Sequence, residues 1–142
     1  MPNASVAEHA CSLIRNLSYN SPDNITVLAD SGACEVLISA LQAHRAHGGV
    51  TEEACGAIQS LSFNSPSNKA KLLRCGACEE MVFALQTHKA SALVCEVACG
   101  AIWNLCSDVA CKTKLMRPNA TLAVASCADN PRKQGTFEQL AL

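Results

Sequence analysis

The sequence predicts an all-α solenoid, a stack of helical units sharing one continuous core. Three observations carry this. The chain repeats itself: Val6 opens VAEHACSLIRNLSYNSPDN, Val50 opens VTEEACGAIQSLSFNSPSN and Val94 opens VCEVACGAIWNLC, at steps of 44 residues, and residues 6–49 agree with 50–93 at 21 of 44 positions without a gap. A period of about 40 to 50 residues marks an array whose units bury their apolar faces only against neighbours. Within each copy the apolar residues return at the helical period. The composition, 49% hydrophobic with only 4% aromatic, leaves Leu, Val, Ile, Ala and Cys to build the core, which suits closely packed helices.

Each element follows from local signals. The helix from Val6 carries Val6, Ala10, Leu13, Ile14 and Leu17 on one face, and Ser5 with Glu8 reads as a capping box at its start. Val50, Ala54, Ala57, Ile58 and Leu61 repeat the stripe, as do Val94, Ala98, Ala101, Ile102 and Leu105. Asn20-Ser-Pro and Asn64-Ser-Pro then break the chain. Ser21 and Ser65 are the expected N-caps, with Pro22 and Pro66 at the first helical position. A short helix follows and ends at Gly32 or Gly76, where a positive φ is required. A middle helix is expected over 33–43 and 77–90, with Leu37, Ala40, Leu41 and His44 on one face, matched by Met81, Ala84, Leu85 and His88. Gly48-Gly49 is read as its stop in the first copy.

The third copy is edited. Lys69–Arg74 matches Lys112–Arg117 at a spacing of 43, so one loop residue is lost. Asn119-Ala120 stands where Gly76-Ala77 stood, and Asn is expected to keep the left-handed bend. Residues 121–128 read as a shortened middle helix closed by Asp129-Asn-Pro131, and Thr136–Leu142 reads as the opening of a further helix or cap. The whole of 1–142 is one repeat domain, with units of about 6–49, 50–93 and 94–131 and a final piece over 132–142. It begins and ends inside repeats, which is expected of degenerate caps or of a piece of a longer array.

Charge and cysteines narrow the function. A net charge of −1 and a pI near 6.4 give no basis for a nucleic-acid partner or an anionic membrane. No basic-then-apolar leader opens the sequence, and the most apolar stretch, 92–106, is interrupted by Glu96 and Asn104. Of ten cysteines, five belong to the repeat: Cys11, Cys55 and Cys99 are one position, Cys34 and Cys78 another. Beside recurring alanines they read as small hydrophobes, and ten thiols point to a reducing compartment, cytoplasmic or nuclear. The single CxxC, Cys75-Gly-Ala-Cys78, raises a competing thiol or zinc reading with Cys111 or His88 as further ligands, but no second CxxC or paired His completes a four-ligand set. No phosphate-binding glycine loop, G-x-S-x-G or H-E-x-x-H appears, so neither an enzyme nor a cofactor is expected.

A short helix ending at Gly32 or Gly76, a middle helix with paired Leu, and the ending A-x-x-x-I-x-N-L at Ala10–Leu17 and Ala98–Leu105 together resemble the armadillo-repeat family. The resemblance spans about residues 6 to 128. It implies a right-handed superhelix of three-helix units, about two and a half to three of them here. It also implies a groove lined by the last helix of each unit that takes extended peptides or partner proteins. In armadillo proteins of the nuclear-import type the Asn near the end of that helix bonds the peptide main chain. Asn16 and Asn104 match it, and Ser60 replaces it. An amide suits the task because it both donates and accepts; the same Asn could instead tie a loop. The family's Trp, four residues earlier, is replaced by Ser12, Gly56 and Gly100, so the shelf that would hold a Lys or Arg stem is missing.

The remaining recurrent positions have two readings each. Gly56 and Gly100 imply close approach, by a neighbouring helix or by a bound backbone. Glu8, Glu52 and Glu96 form an acidic ladder for a partner, or sit in the first turn against the helix dipole. Trp103 is an anchor at the groove margin beside Arg15 and Gln59, or packs beneath the third repeat. His44 and His88 cap or pack. The expected function is a protein-interaction scaffold binding a partner segment along the groove; the alternative is a structural or self-associating module acting through its uncapped ends.

Overall fold

The computed structural model describes residues 3–129 of the 142. Its elements run in chain order as α1 (Ala4–Ser18), α2 (Pro22–Asp30), α3 (Ala33–Ala43), α4 (Gly48–Ser62), α5 (Pro66–Arg74), α6 (Ala77–Thr87), α7 (Ala92–Leu105), α8 (Val109–Leu115) and α9 (Pro118–Ala125), closed by a 3-10 turn at Ser126–Asp129. The described residues contain no strand. The fold is an armadillo-like helical repeat solenoid: α1, α4 and α7 stack side by side, and α3 and α6 back onto α4 and α7 respectively.

The last helices begin two residues before the valines that open each copy. Asn3 caps α1, its side chain accepting from the Ser5 and Val6 amides at 2.9 and 3.2 Å. His47 Nδ1 and Ser91 Oγ do the same for Val50 and Val94 at 3.2 and 3.3 Å. The expected Ser5–Glu8 capping box is therefore corrected: Ser5 lies inside the helix, since an apolar stripe marks the first buried residue and not the first helical one. Gly48-Gly49 is corrected likewise. It opens α4, and α3 ends earlier at Ala43 with His44 as cap. The middle helix of the second copy ends at Thr87, not Ala90.

The turns follow their residues. Gly32 and Gly76 take φ of 93° and 94°, and Pro22 and Pro66 hold the first helical position. Asn20 and Asn64 also adopt positive φ, 52° and 50°, which releases the chain from α1 and α4. Ser65 caps α5 through its hydroxyl, whereas Ser21 occupies the cap position without a side-chain bond. In the third copy the expected left-handed Asn119 is not found. Arg117 is the N-cap and Pro118 the first helical residue, so Asn119 lies inside α9; a proline fixes its own φ in the helical range and starts the helix two residues earlier than the alignment with Ala77 would. The middle helix of this copy spans Pro118–Ala125 before the 3-10 turn. The expectations at Asn130, Pro131 and 132–142 lie outside the described residues.

The core is the expected stripe. Val50, Ala54, Ala57, Ile58 and Leu61 are fully buried, as are Leu37, Met81, Leu85, Ile102 and Leu105. All five repeat cysteines are buried as well. Burial first, and Glu53 second, push the Cys11 thiol up to about 11; burial first, then Glu35, take Cys34 to about 11. These thiols stay neutral near pH 7 and pack as small apolar groups. All ten cysteines are unbridged.

Candidate functional site

The last helices are spaced by a ladder of side chains lying on glycines. A Cβ built on Gly56 would overlap the Arg15 side chain, and one on Gly100 would overlap Gln59. Arg15 and Gln59 are the same repeat position, 44 residues apart. Each thus lies flat across the glycine of the following copy, 41 residues on. The close approach read from these glycines is made by a neighbouring helix's side chain. Gly49 and Glu8 form a third such pair. Arg15 also reaches Glu53 at 3.4 Å.

Beside this ladder runs a cleft of about 490 Å³, open to solvent. Six of the residues expected in a groove line it: Arg15, Gly56, Gln59, Ser60, Trp103 and Asn104. Trp103 is 44% exposed, so it stands at the cleft and is not packed beneath the third repeat. It is the third rung after Arg15 and Gln59. Two further aromatics complete the wall, Tyr19 and Phe63, both well exposed and both one repeat position. Three of the five aromatic residues of the chain thus gather, exposed, at one cleft. They were missed in the sequence because Tyr19 and Phe63 sit just past the helix end, outside the apolar stripe. Their recurrence 44 residues apart was the available signal.

The asparagines divide. Asn104 Nδ2 donates to the Gln59 carbonyl at 2.8 Å, tying α7 to the end of α4. Ser60 is half-buried at the cleft, and Asn16 is exposed on α1 but not part of the cleft wall. A second pair does the loop-tying instead. Asn24 Nδ2 donates to Leu17 O at 2.8 Å and Asn68 Nδ2 to Leu61 O at 2.9 Å, each satisfying a carbonyl orphaned at a helix end. Their recurrence in N-S-P-x-N was readable and unread.

The acidic row lies away from the cleft. Glu8, Glu52 and Glu96 fall in the second turn of helices that start at Ala4, Gly48 and Ala92, and the dipole reading is corrected, because that effect is confined to the first turn. Glu8 is half-exposed with its carboxylate 3.9 Å from His47, Glu52 is half-buried and Glu96 is exposed. Ser12 is half-buried on α1. His88 caps α6 and its Nε2 lies 2.8 Å from the Arg45 carbonyl, while His44 caps α3.

The candidate metal set does not converge. Cys78 is in the first turn of α6 and His88 caps its other end, about 15 Å along the axis at 1.5 Å per residue. Cys78 instead accepts from the Cys111 thiol at 3.5 Å, inside the core. Donation to Cys106 and Cys78 raises the Cys111 thiol and draws those two down. Among the described residues no three His, Cys, Asp or Glu side chains are grouped to hold a metal ion. Among the same residues no single helix is long and apolar enough to cross a membrane.

Stacked three-helix units with an open, aromatic-edged cleft along their last helices define a repeat scaffold of the kind that engages other proteins. Residues 65–107, which comprise α5, α6 and α7, match the family model of the Armadillo/beta-catenin-like repeat, so the protein carries an armadillo repeat. The matched stretch starts at the short helix α5 and closes with α7, so α1 and α4 hold the same repeat position as the last helix of the matched unit. Neither curated proteins nor solved structures gave a match to the chain. The armadillo repeat is in general a non-enzymatic interaction fold.

Proposed function

We propose that this single repeat domain binds a segment of another protein in the cleft along α1, α4 and α7, as a non-catalytic scaffold. The observation that carries the reading is the gathering of exposed Tyr19, Phe63 and Trp103 beside Arg15, Gln59 and Asn104. Aromatic and Arg side chains with an apolar body and a polar tip are the usual anchors of protein interfaces. Ser60 and Asn104 in the cleft wall, with Asn16 exposed on α1 beyond it, offer hydroxyl and amide groups to a bound main chain. Of the three, Asn104 already spends one donor on Gln59. The cleft walls hold one charged residue, Arg15, which favours a segment read by stacking and main-chain bonding over a highly charged one. Ten free thiols suit a reducing setting, cytoplasmic or nuclear.

The test is selection of extended peptides from a displayed library on the folded protein, followed by titration against variants. Trp103→Ala should weaken the selected peptides by about tenfold or more, as expected for an interface anchor worth over about 1.4 kcal/mol. Asn16→Ala with Asn104→Ala should cost a few kcal/mol at most, at about 0.5–1.5 kcal/mol per neutral hydrogen bond. Peptides that ignore both changes and crosslink to the outer face of α3 or α6 would place the site elsewhere.

A further inference from the structure

The third copy replaces a pair of polar side chains by a pair of thiols. Where a last helix meets the next short helix, the first copy carries Ser18 and Asn24 and the second Ser62 and Asn68; the third carries Cys106 and Cys111. In the first two copies both side chains turn back onto the end of one helix. Ser18 Oγ donates to the Arg15 carbonyl and Ser62 Oγ to the Gln59 carbonyl, each at 3.1 Å, beside the Leu17 and Leu61 carbonyls that Asn24 and Asn68 hold. The two positions thus converge, and in the third copy sulfur meets sulfur. The Cys111 thiol donates to Cys106 and to Cys78 of α6, the latter at 3.5 Å. The turn between Cys106 and Cys111 is fixed by Asp108, whose side chain accepts from the Cys111 amide at 3.2 Å and whose amide donates to the Leu105 carbonyl at 3.1 Å. Cys78 and Cys111 are buried, but Cys106 is partly open to solvent. Another thiol pair in contact, Cys99 and Cys127, is buried at both members.

We propose that Cys106, Cys111 and Cys78 form a peroxide-sensitive modification site, in which Cys106 is oxidised first and Cys111 then closes a reversible disulfide. Cys106 is the attacking thiol because it is the accessible member. The hydrogen bond from Cys111 also draws its thiol down, with Lys112 adding to this against the opposing effect of burial. Having lost its proton to water, the Cys106 sulfur attacks hydrogen peroxide. An S–O bond forms, the O–O bond breaks, and the departing hydroxide takes up that proton as water. The sulfur is now a sulfenic acid, oxidised by two electrons, and the peroxide is reduced. Cys111 attacks this sulfur; an S–S bond forms, the S–O bond breaks, and the leaving hydroxide takes the Cys111 proton as water. Two thiols and one peroxide thus give one disulfide and two waters. The Cys78 sulfur, as thiolate, can then attack Cys111, which moves the bridge into the core and returns Cys106 as a thiol without further oxidation. Transient bridges of this kind are the ones a reducing compartment admits.

The test is exposure of the folded, reduced 142-residue chain to hydrogen peroxide after removal of reductant, followed by alkylation and mass mapping under non-reducing conditions. Cleavage before Asp108 separates Cys106 from Cys111, so a bridge between them joins two fragments. The expected result is a bridge at Cys111, to Cys106 or to Cys78, with two titratable thiols lost and then recovered on adding a thiol reductant. Cys106→Ser and Cys111→Asn install the residues of the second copy, so both should keep the parent's circular dichroism; Cys111→Ser serves if Cys111→Asn does not fold. Cys106→Ser should lose the bridge at the same dose of peroxide. Cys111→Asn should lose it too, and should accumulate a Cys106 sulfenic acid that a cyclic diketone reagent captures. A parent chain that forms no Cys111 bridge overturns the inference. So does a Cys106→Ser chain that bridges Cys111 as readily as the parent, because the oxidant then reaches the core without Cys106.

Discussion

Helices α1 and α4 are the same element written twice, and they differ in what surrounds them. Both carry the stripe that begins Val, Ala and ends Leu, both are 15 residues long, and both end where an Asn takes a positive φ. In α4 the stripe is wholly buried, with α3 behind it and α1 and α7 on either flank. In α1 the same stripe leaves Val6 66% and Leu13 58% exposed. The difference shows that in an array the burial of a residue is a property of its neighbours' presence, and periodicity alone reports only the face on which burial is possible.

The sharpest way to break this comparison is paired truncation. Leu61→Ala in α4 should cost about 2–5 kcal/mol, read from the urea midpoint at constant slope. Leu17→Ala, its counterpart in α1, should cost about half of that or less, since Leu17 is already 44% exposed whereas Leu61 is fully buried. Equal losses would mean that α1 is covered in solution under the conditions used.

A smaller effect should appear in alkali, and it too depends on a neighbour. Cys11 and Cys34 are neutral up to about pH 11 when folded, against an ordinary thiol value of 9.0. A group raised on folding contributes its stability fully below the unfolded value and loses it as pH climbs through the folded one. Stability should therefore fall between about pH 9 and pH 11, each thiol steepening the fall by at most about 1.4 kcal/mol per pH unit, and the thermal midpoint should fall with it. Cys34→Ala should flatten that fall while lowering the midpoint at pH 7 for the lost packing. A fall of the same steepness in Cys34→Ala would remove this thiol from the account.

The smallest expected change is Gly56→Ala. Helix propensity favours Ala by about 1 kcal/mol, but the new methyl would displace Arg15, whose partly buried pair with Glu53, long at 3.4 Å, offsets about that much. Stability should move by no more than about 1 kcal/mol in either direction, while methyl and guanidinium NMR signals at the cleft shift. The matching Ser12→Ala in α1 should leave those signals unchanged. A loss of several kcal/mol at Gly56 would show that Arg15 cannot move aside and that the ladder is rigid.

Most of the fold was legible because its signals are local. The period of 44, the prolines that open α2 and α5, and Gly32 and Gly76 at positive φ each follow from the chemistry of a few adjacent residues. The helix starts were misplaced by two residues because caps such as His47 and Ser91 carry no apolar mark, and Asn119 was misjudged because Pro118 overrode the alignment with Gly76. The cleft was half legible. Arg15, Gln59 and Trp103 were found by position, but Tyr19 and Phe63 lie beyond the stripe that guided the reading.

The sequence by itself determined that this protein is a helical repeat, where its units turn, and which face of each helix is apolar, since these depend on backbone preferences and spacing within one unit. Only the tertiary structure decided what fills the space between units: that Arg15 and Gln59 occupy the glycine positions, that Asn104 is tied to the end of α4, and that the stripe of α1 stays open while that of α4 closes. Those facts depend on side chains more than 40 residues apart meeting across two helices, and no local preference along the chain encodes such a meeting.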